Sequence, residues 1–310
     1  MKLQNPGFFI SHREIFLPAV RIYLKKVENS VLIPRISRFL NKLLYKLGLG
    51  FALNRYNNSI TIFSSNSDRK LYEEYDKKSI FCNFGSGAFF HCRWKNYDYR
   101  GQSKYYRSLQ GNENRDFFHI DLCAKNLFIP EADNSVSLIY CSHTLEHLAK
   151  KASKRFLKEC FRILKPSAVM RIALPRTSTD FYYLSLSETQ NLDKGHQSDL
   201  MRESAYNVLS DTTFFSNEDL SLFIKESKFD ASKFYEISLR EGISNKFNSK
   251  NPDRHLTFWD YNSLTKLSKE LGFSKCMPFY RGSSFVKPFT NINIFDTTEP
   301  HYSFYAELVK

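Results

Sequence analysis

The sequence predicts an α/β fold with a mostly parallel sheet, and three short apolar runs are the observations that predict it. Each run ends at a glycine turn or a carboxylate: Ile80–Phe84 before Gly85, Trp94–Tyr97 before Asp98, and Phe117–Ile120 before Asp121. Runs of this length bounded by turn residues are typical of buried parallel strands. Because parallel strands align their carboxyl ends, we expect the turn and both carboxylates at one sheet edge, where open α/β sheets bind ligands.

The elements that follow continue this pattern. Val136–Cys141 is the predicted fourth strand, and Thr144 or Ser142 is expected to cap the helix after it. That helix carries Phe156, Leu157, Cys160 and Leu164 on one face and is expected to stop at Pro166. Ala168–Leu174 is the predicted fifth strand.

Residues 177–252 interrupt the sheet pattern. They are polar and aromatic, with predicted helices near Ser198–Leu209 and Ser216–Phe229, where Ser216 and Asp219 approximate a capping box. An insertion at this point is either a lid or substrate-recognition region, or a surface decoration. The core resumes with a leucine stripe that ends at Gly272. The last two predicted strands are Phe273–Tyr280 and Ser303–Val309.

The residues at the predicted sheet edge suit a nucleoside ligand. Gly85 and Gly87 lack a Cβ, so their backbone can adopt positive φ and approach a ligand closely. Asp98 can accept hydrogen bonds from both ribose hydroxyls, and Asp121 can accept one from an exocyclic amine such as that of adenine. The glycine turn leaves room for an amino-acid tail, and S-adenosylmethionine has these three parts.

Two other nucleotide sites are disfavoured by the same stretch. Phe90 stands where the dinucleotide fingerprint requires a third glycine or alanine, and Asp98 follows Gly85 by only 13 positions instead of roughly 20. No Lys-Ser/Thr pair follows the glycines, so a phosphate-binding loop is also disfavoured.

Five segments in a fixed order resemble a known family. They are NFGSG, WKNYDY, DL, LFIPEADNSVSLIYCSHTLEHL and FLKECFRILKPSAVMRIALP. With RHLTFWDYNSLTKLSKELGF and the terminal SFYAELVK, they resemble S-adenosylmethionine-dependent methyltransferases of the type-11 kind over about residues 79–176 and 253–310. The resemblance implies a Rossmann-like, mostly parallel sheet with an antiparallel last strand and helices on both faces. It also implies S-adenosylmethionine as the cofactor. The implied donor-binding residues are Gly85, Ser86, Gly87, Asp98, Asp121, Leu122 and Ser142.

Two histidines are the candidate catalytic residues. His143 follows the fourth strand, at the rim where a general base would accept a proton from an acceptor hydroxyl. The alternative is a structural hydrogen bond that orients the loop. His255, next to Arg254, would line the acceptor side, or else both are structural. His147 is interpreted as structural and Glu146 as a residue that anchors the helix. No C-x-x-C pair is present, so no metal site is predicted, and the six cysteines are interpreted as reduced thiols.

The charge of the chain is concentrated at one end. Residues 1–70 hold 12 Lys/Arg and 3 Asp/Glu, which accounts for +9 of the net charge of +13. We therefore predict a basic, helical N-terminal extension with a linker over 1–70 and a methyltransferase domain over 71–310, with 177–252 inserted. A nucleic-acid groove across the active site is disfavoured because the basic residues lie outside that domain.

The extension contains a predicted amphipathic helix at 34–48. It carries leucines on one face and Arg35, Arg38, Lys42 and Lys46 on the other. Such a helix either lies on an anionic membrane surface or packs on the domain with a solvated cationic face. The chain shows neither a signal peptide nor an apolar run of about 18–20 residues, so the predicted location is the cytoplasm, with peripheral contact at the inner membrane as the membrane alternative.

The acceptor is not identified by the sequence. The resemblance implies a small-molecule or glycan acceptor, such as a surface glycan or a lipid-linked saccharide. Two other functions stay open: a methyltransferase-like module that binds the nucleotide without turnover, and a nicotinamide-dependent oxidoreductase. The oligomeric state is not predicted.

Overall fold

The computed structural model describes residues 65–87, 93–100, 117–176, 255–300 and 303–310 without a break. Shorter described stretches are 9–10, 20–23, 50–52, 59–63 and 215–228, together with single positions that include Leu40, Leu43, Leu47, Phe89, His91 and Leu209. The helix predicted at 198–209 and the candidate residue Arg254 lie outside these residues, Leu209 excepted.

Four strands are described before the central sheet. They are β1 (Phe9–Ile10), β2 (Val20–Tyr23), β3 (Gly50–Ala52) and β4 (Ser59–Phe63). Strand β4 lies between β2 and β3 in an antiparallel sheet. The extension predicted to be helical therefore contains strands, which the aromatic and β-branched residues of β2 and β4 favour. Helix α1 (Ser65–Lys70) follows.

The core is a seven-stranded sheet built from strands on both sides of the insertion. Its members are β5 (Ile80–Phe84), β6 (Lys95–Asp98), β7 (Phe118–His119), β8 (Val136–Ser142), β9 (Leu164–Pro175), β10 (Lys275–Phe279) and β12 (Ser303–Val309). The two-residue β11 (Ser283–Ser284) pairs with β1 instead. The order is β10-β12-β9-β8-β5-β6-β7. Strands β5 to β9 are parallel, whereas β12 is antiparallel to both β9 and β10. The predicted fold class is confirmed.

Strand bounds match the prediction at some positions and differ at others. Strands β5 and β12 have the predicted bounds, but β7 is two residues long where four were expected. Strand β9 begins at Leu164, before Pro166, because the helix has already ended at Ile163. Pro166 is therefore not the residue that stops the helix.

The segment between β8 and β9 forms two helical pieces instead of one. A 3₁₀ turn covers Leu145–His147, and helix α2 covers Lys150–Ile163. Thr144 occupies the N-cap position of the turn without capping it through its side chain. Its hydroxyl donates to the Ser142 carbonyl at 3.0 Å, so the predicted capping role is wrong.

In the described residues, one further helix lies within the insertion and one follows it. Helix α3 (Asn217–Glu226) begins at Ser216, whose hydroxyl accepts from the Asp219 amide at 3.1 Å, so this predicted cap is confirmed. Helix α4 (Tyr261–Glu270) ends before Gly272, which has φ +98°. A second 3₁₀ turn covers Lys287–Thr290.

Candidate active site

The glycine turn lies at the carboxyl end of β5, as predicted. Gly85 and Gly87 have φ of +65° and +49°. The amides of Gly85 and Ser86 donate to the Tyr97 carbonyl of β6 at 2.9 and 3.3 Å, which fixes the turn to the neighbouring strand. A Cβ on Gly85 would lie 2.0 Å from Thr144 Oγ1, so this glycine lets the turn after β8 pack directly on the turn after β5.

Asp98, the last residue of β6, holds the same turn from the other side. Its Oδ2 accepts from the Gly87 amide at 2.7 Å and its Oδ1 from the Tyr99 amide at 2.7 Å. Burial raises the pKa of Asp98 to about 6, although these two hydrogen bonds and the nearby imidazoles of His147 and His119 act in the opposite direction. A carboxylate can accept about four hydrogen bonds, so each oxygen keeps a lone pair for a ribose hydroxyl.

The other predicted donor-binding residues differ in how deeply they are buried. Asp121 is exposed, and its Oδ1 accepts from the Cys123 amide at 2.8 Å, so one oxygen serves the local turn. Ser86 and Leu122 are buried. Ser142 Oγ is buried and has no hydrogen-bond partner among the described residues. An unpartnered buried hydroxyl at this edge suits a polar ligand, since leaving it unpaired costs free energy.

Both ring nitrogens of His143 contact other side chains. The residue has φ +47°, its Nε2 lies 2.7 Å from Ser303 Oγ of β12, and its Nδ1 lies 3.3 Å from Glu146 Oε1. Ser303 Oγ also lies 2.8 Å from the Glu299 carbonyl, which can only accept. Protein groups therefore contact both ring nitrogens of His143, Ser303 Oγ at Nε2 and Glu146 Oε1 at Nδ1. This geometry favours the structural alternative for His143 over the general base.

Glu146 is the residue whose importance the sequence did not reveal. Its side chain is 2% exposed, and neither carboxylate oxygen has a hydrogen-bond partner in the described structure. Burial opposes its ionisation, but the interactions with His143, His147 and His255 outweigh burial and lower the pKa of Glu146 to about 2. Glu146 is therefore ionised at neutral pH.

The structure brings His147 and His255 together beside this carboxylate. Their ring centroids lie 4.9 Å apart. Backbone hydrogen bonds hold the two segments together, because the amides of Leu256 and Thr257 both donate to the Glu146 carbonyl, at 2.6 and 3.0 Å. The sequence placed His255 near the acceptor but did not pair it with His147, since 108 residues separate them. In the sequence, the only sign of this cluster was that Glu146 and His147 are adjacent.

The comparison with family models supplies the decisive observation. Residues 97–172, which run from the end of β6 into β9, match the model of a methyltransferase domain of type 11. The chain carries a methyltransferase domain. Its methyl donor is S-adenosylmethionine, and the glycine turn, the lone pairs of Asp98 and the unpaired Ser142 hydroxyl fit that donor's polar groups.

Several solved structures overlap with the chain at low identity. An S-adenosylmethionine-dependent methyltransferase from Archaeoglobus fulgidus is 13% identical over 78% of this chain and 90% of its own, with a TM-score of 0.39. One from Aquifex aeolicus is 13% identical over 78% and 88%, with a TM-score of 0.34. One from Mesorhizobium loti is 16% identical over 37% of this chain and 54% of its own, with a TM-score of 0.26. No curated protein matches the sequence. The methyltransferase domain is therefore identified by the family match and not by these overlaps.

Proposed function

We propose that this methyltransferase transfers the methyl group to a hydroxyl of a saccharide, presented on a surface glycan or on a lipid carrier. The observation that carries the proposal is the cluster of Glu146, His147 and His255 beside the donor site. The 3₁₀ turn that holds two of them follows the strand next to the glycine turn, and Thr144 at its start packs against Gly85. A hydroxyl is a weak nucleophile and needs such activation, whereas a carboxylate or a neutral amine needs little.

The chemistry divides between the donor and the protein. When bound, S-adenosylmethionine supplies an electrophilic methyl carbon on a sulfonium that is already a good leaving group. Asp98 would bind the ribose hydroxyls and the glycine turn would let the donor approach the backbone. The protein's remaining tasks are to hold the acceptor oxygen in line, to exclude water and to remove its proton. The candidate catalytic residues for the acceptor side are His255 and His143, of which His255 has the more suitable place.

The N-terminal extension supports an acceptor at a membrane surface. Leu40, Leu43 and Leu47 are 40%, 47% and 68% exposed, and they share the helical spacing that predicts one apolar face. The same stretch carries four basic residues, which would favour anionic lipids. Among the described residues, no helix has the length and apolar character needed to span a bilayer. We therefore propose peripheral contact through 34–48.

One assay tests the acceptor class. The purified protein is incubated with S-adenosylmethionine and separate panels of neutral, anionic and lipid-linked saccharides, and S-adenosylhomocysteine formation is measured against a panel of small carboxylic acids and amines. Turnover with saccharides alone would support the proposal. Turnover with acids or amines alone would contradict it. S-adenosylhomocysteine binding without turnover on any panel would favour the binding-module alternative.

A second assay tests the membrane contact. Removing residues 1–50 is unsuitable, because it also removes strands β1 and β2. The triple variant Leu40→Gln, Leu43→Gln, Leu47→Gln keeps the chain length and should lose sedimentation with anionic vesicles. Leu222→Gln is the matched control, since Leu222 is 60% exposed but lies in the insertion. Equal vesicle binding by the triple variant and the control would rule out contact through this face.

A further inference from the structure

Glu146, His147 and His255 form a cluster of potential metal ligands in the described part of the chain. One ligand atom from each residue lies within 4.8 Å of the other two. Two imidazoles and one carboxylate, from two segments of the chain, form the ligand set of mononuclear metal sites that keep open coordination positions. We propose that these three residues bind a divalent transition-metal ion such as Zn²⁺, which coordinates the acceptor oxygen.

The buried carboxylate is the independent observation that points to a cation. Glu146 is 2% exposed, and its Oε2 has neither a hydrogen bond nor an ion-pair contact in the described part of the chain. Its Oε1 has only the contact with His143 Nδ1 at 3.3 Å. A buried carboxylate without hydrogen-bond donors is costly, and pairing or metal coordination is the usual compensation. A metal ion would compensate this charge directly.

Hydrogen bonds around the cluster hold together the two segments that carry its side chains. Thr257 Oγ1 lies 3.0 Å from the carbonyls of both Leu145 and Leu148, and Trp259 Nε1 donates to Thr257 Oγ1 at 2.9 Å. These contacts join residues 255–259 to the 3₁₀ turn that carries Glu146 and His147. Contacts of this kind fix the positions of side chains that bind a metal and are typical of functional metal sites.

To bind an ion, the three ligand groups would have to move slightly closer together. Ligands at about 2.1 Å from a tetrahedral metal lie roughly 3.4 Å apart, so the separations of up to 4.8 Å must shorten by up to about 1.4 Å. Rotation of the two imidazoles, which are half-buried, can supply this movement. Imidazole nitrogens favour Zn²⁺ over Mg²⁺, which prefers oxygen ligands.

The role of the ion in methyl transfer rests on the proposed function. A metal-bound hydroxyl has a lowered pKa, so its proton can pass to water. The oxygen lone pair then forms the new bond to the methyl carbon, while the carbon–sulfur electron pair stays on sulfur. No oxidant or reductant is required.

Zinc binding to the full-length protein, stripped of metal by a chelator, tests the site. Isothermal titration with Zn²⁺ should give one ion per chain. Glu146→Gln, His147→Ala and His255→Ala should each weaken this binding by more than about tenfold, because each removes one of three ligands. His119→Ala removes an exposed histidine of β7 that is not part of the cluster and should leave zinc binding unchanged. Tighter binding of Mg²⁺ than of Zn²⁺ would overturn the assignment.

Donor binding is measured on the same samples by the thermal shift that S-adenosylhomocysteine produces. A variant that keeps this shift but loses zinc is folded, and supports the site. If Glu146→Gln does not fold, the two histidine variants decide. A donor-induced shift with no zinc binding would overturn the metal site alone and leave the proposed function intact. Zinc binding with no donor-induced shift would support the site and count against the proposed function.

Discussion

Arg171 and Asp296 form a fully buried ion pair in which Arg171 Nη2 lies 2.5 Å from Asp296 Oδ2. Arg171, on β9, also donates to Glu307 on β12 at 3.0 Å and to the carbonyls of Ser283 and Tyr280. Burial alone would lower the pKa of Arg171, but the two carboxylates raise it. One side chain thus ties the loop after β10 to the middle of the sheet.

Replacing this arginine should destabilise the domain strongly. Arg171→Ala leaves two buried carboxylates without their partner, and breaking a buried pair in this way costs about 3–5 kcal/mol. Urea denaturation followed by circular dichroism measures the change. Lys154→Ala is the matched control, because its pair with Glu270 is exposed and such pairs contribute about 0–1 kcal/mol. An equal, small loss for both variants would contradict the role assigned to Arg171.

The contrast between β5 and this ion pair shows what sequence reasoning can and cannot reach. Strand β5 and its glycine turn were predicted with the correct bounds, because an apolar run and two glycines are local signals. The pairing of Arg171 with Asp296 joins positions 125 residues apart, so no local pattern reveals it. His147 and His255 lie 108 positions apart, so no local pattern reveals their contact either. Strand β7 was predicted too long because an apolar run does not show how much of it finds a partner.

The donor affinity of the protein should depend on the protonation of Asp98. Its pKa of about 6 in the folded protein means that the carboxylate is mostly protonated at pH 5 and mostly ionised at pH 7. Ribose hydroxyls donate to the ionised form, so affinity for S-adenosylhomocysteine should rise by roughly tenfold from pH 5 to pH 7. Titration calorimetry across this range measures the rise.

The variant Asp98→Asn separates this effect from nearby histidines. It should bind the ligand more weakly at every pH, with little slope between pH 5 and pH 7. A slope that persists in the variant would assign the pH dependence to His119 or His147 instead, since histidine also titrates in this range. For the unliganded protein the sign is opposite. Because folding raises the pKa of this carboxyl above 3.8, its contribution to stability is present below about pH 4 and is lost as pH rises through about 6.

The contact between Gly85 and Thr144 should make alanine at position 85 costly in two separable ways. A left-handed backbone costs a non-glycine residue about 1–2 kcal/mol. The collision of the new Cβ with Thr144 Oγ1 at 2.0 Å adds overpacking, typically about 1–3 kcal/mol. Denaturation of Gly85→Ala measures the sum.

Two further variants separate the backbone cost from the cost of the collision with Thr144. Gly272→Ala has φ +98° but meets only Phe161 at 3.1 Å, so it should show mainly the backbone cost and keep donor binding. In the double variant Gly85→Ala, Thr144→Ala, the contacts at 2.0 and 2.6 Å are absent, and stability should partly recover. Additive losses in this double-mutant cycle would show that the two residues do not collide.

His143→Ala distinguishes a positioning residue from a general base. Its Nε2 is hydrogen-bonded to Ser303 and its Nδ1 faces Glu146, so neither nitrogen is open to an acceptor hydroxyl. We therefore expect a loss of stability of about 1–3 kcal/mol, the cost of leaving buried polar partners unpaired. A general base would instead lower turnover by about 10²–10⁴-fold at unchanged stability. Ser303→Ala is the matched variant, because it removes the same hydrogen bond from the other side. If Ser303 serves to hold His143, both variants should lose similar stability, and a large loss of turnover in His143→Ala alone would restore His143 as the base.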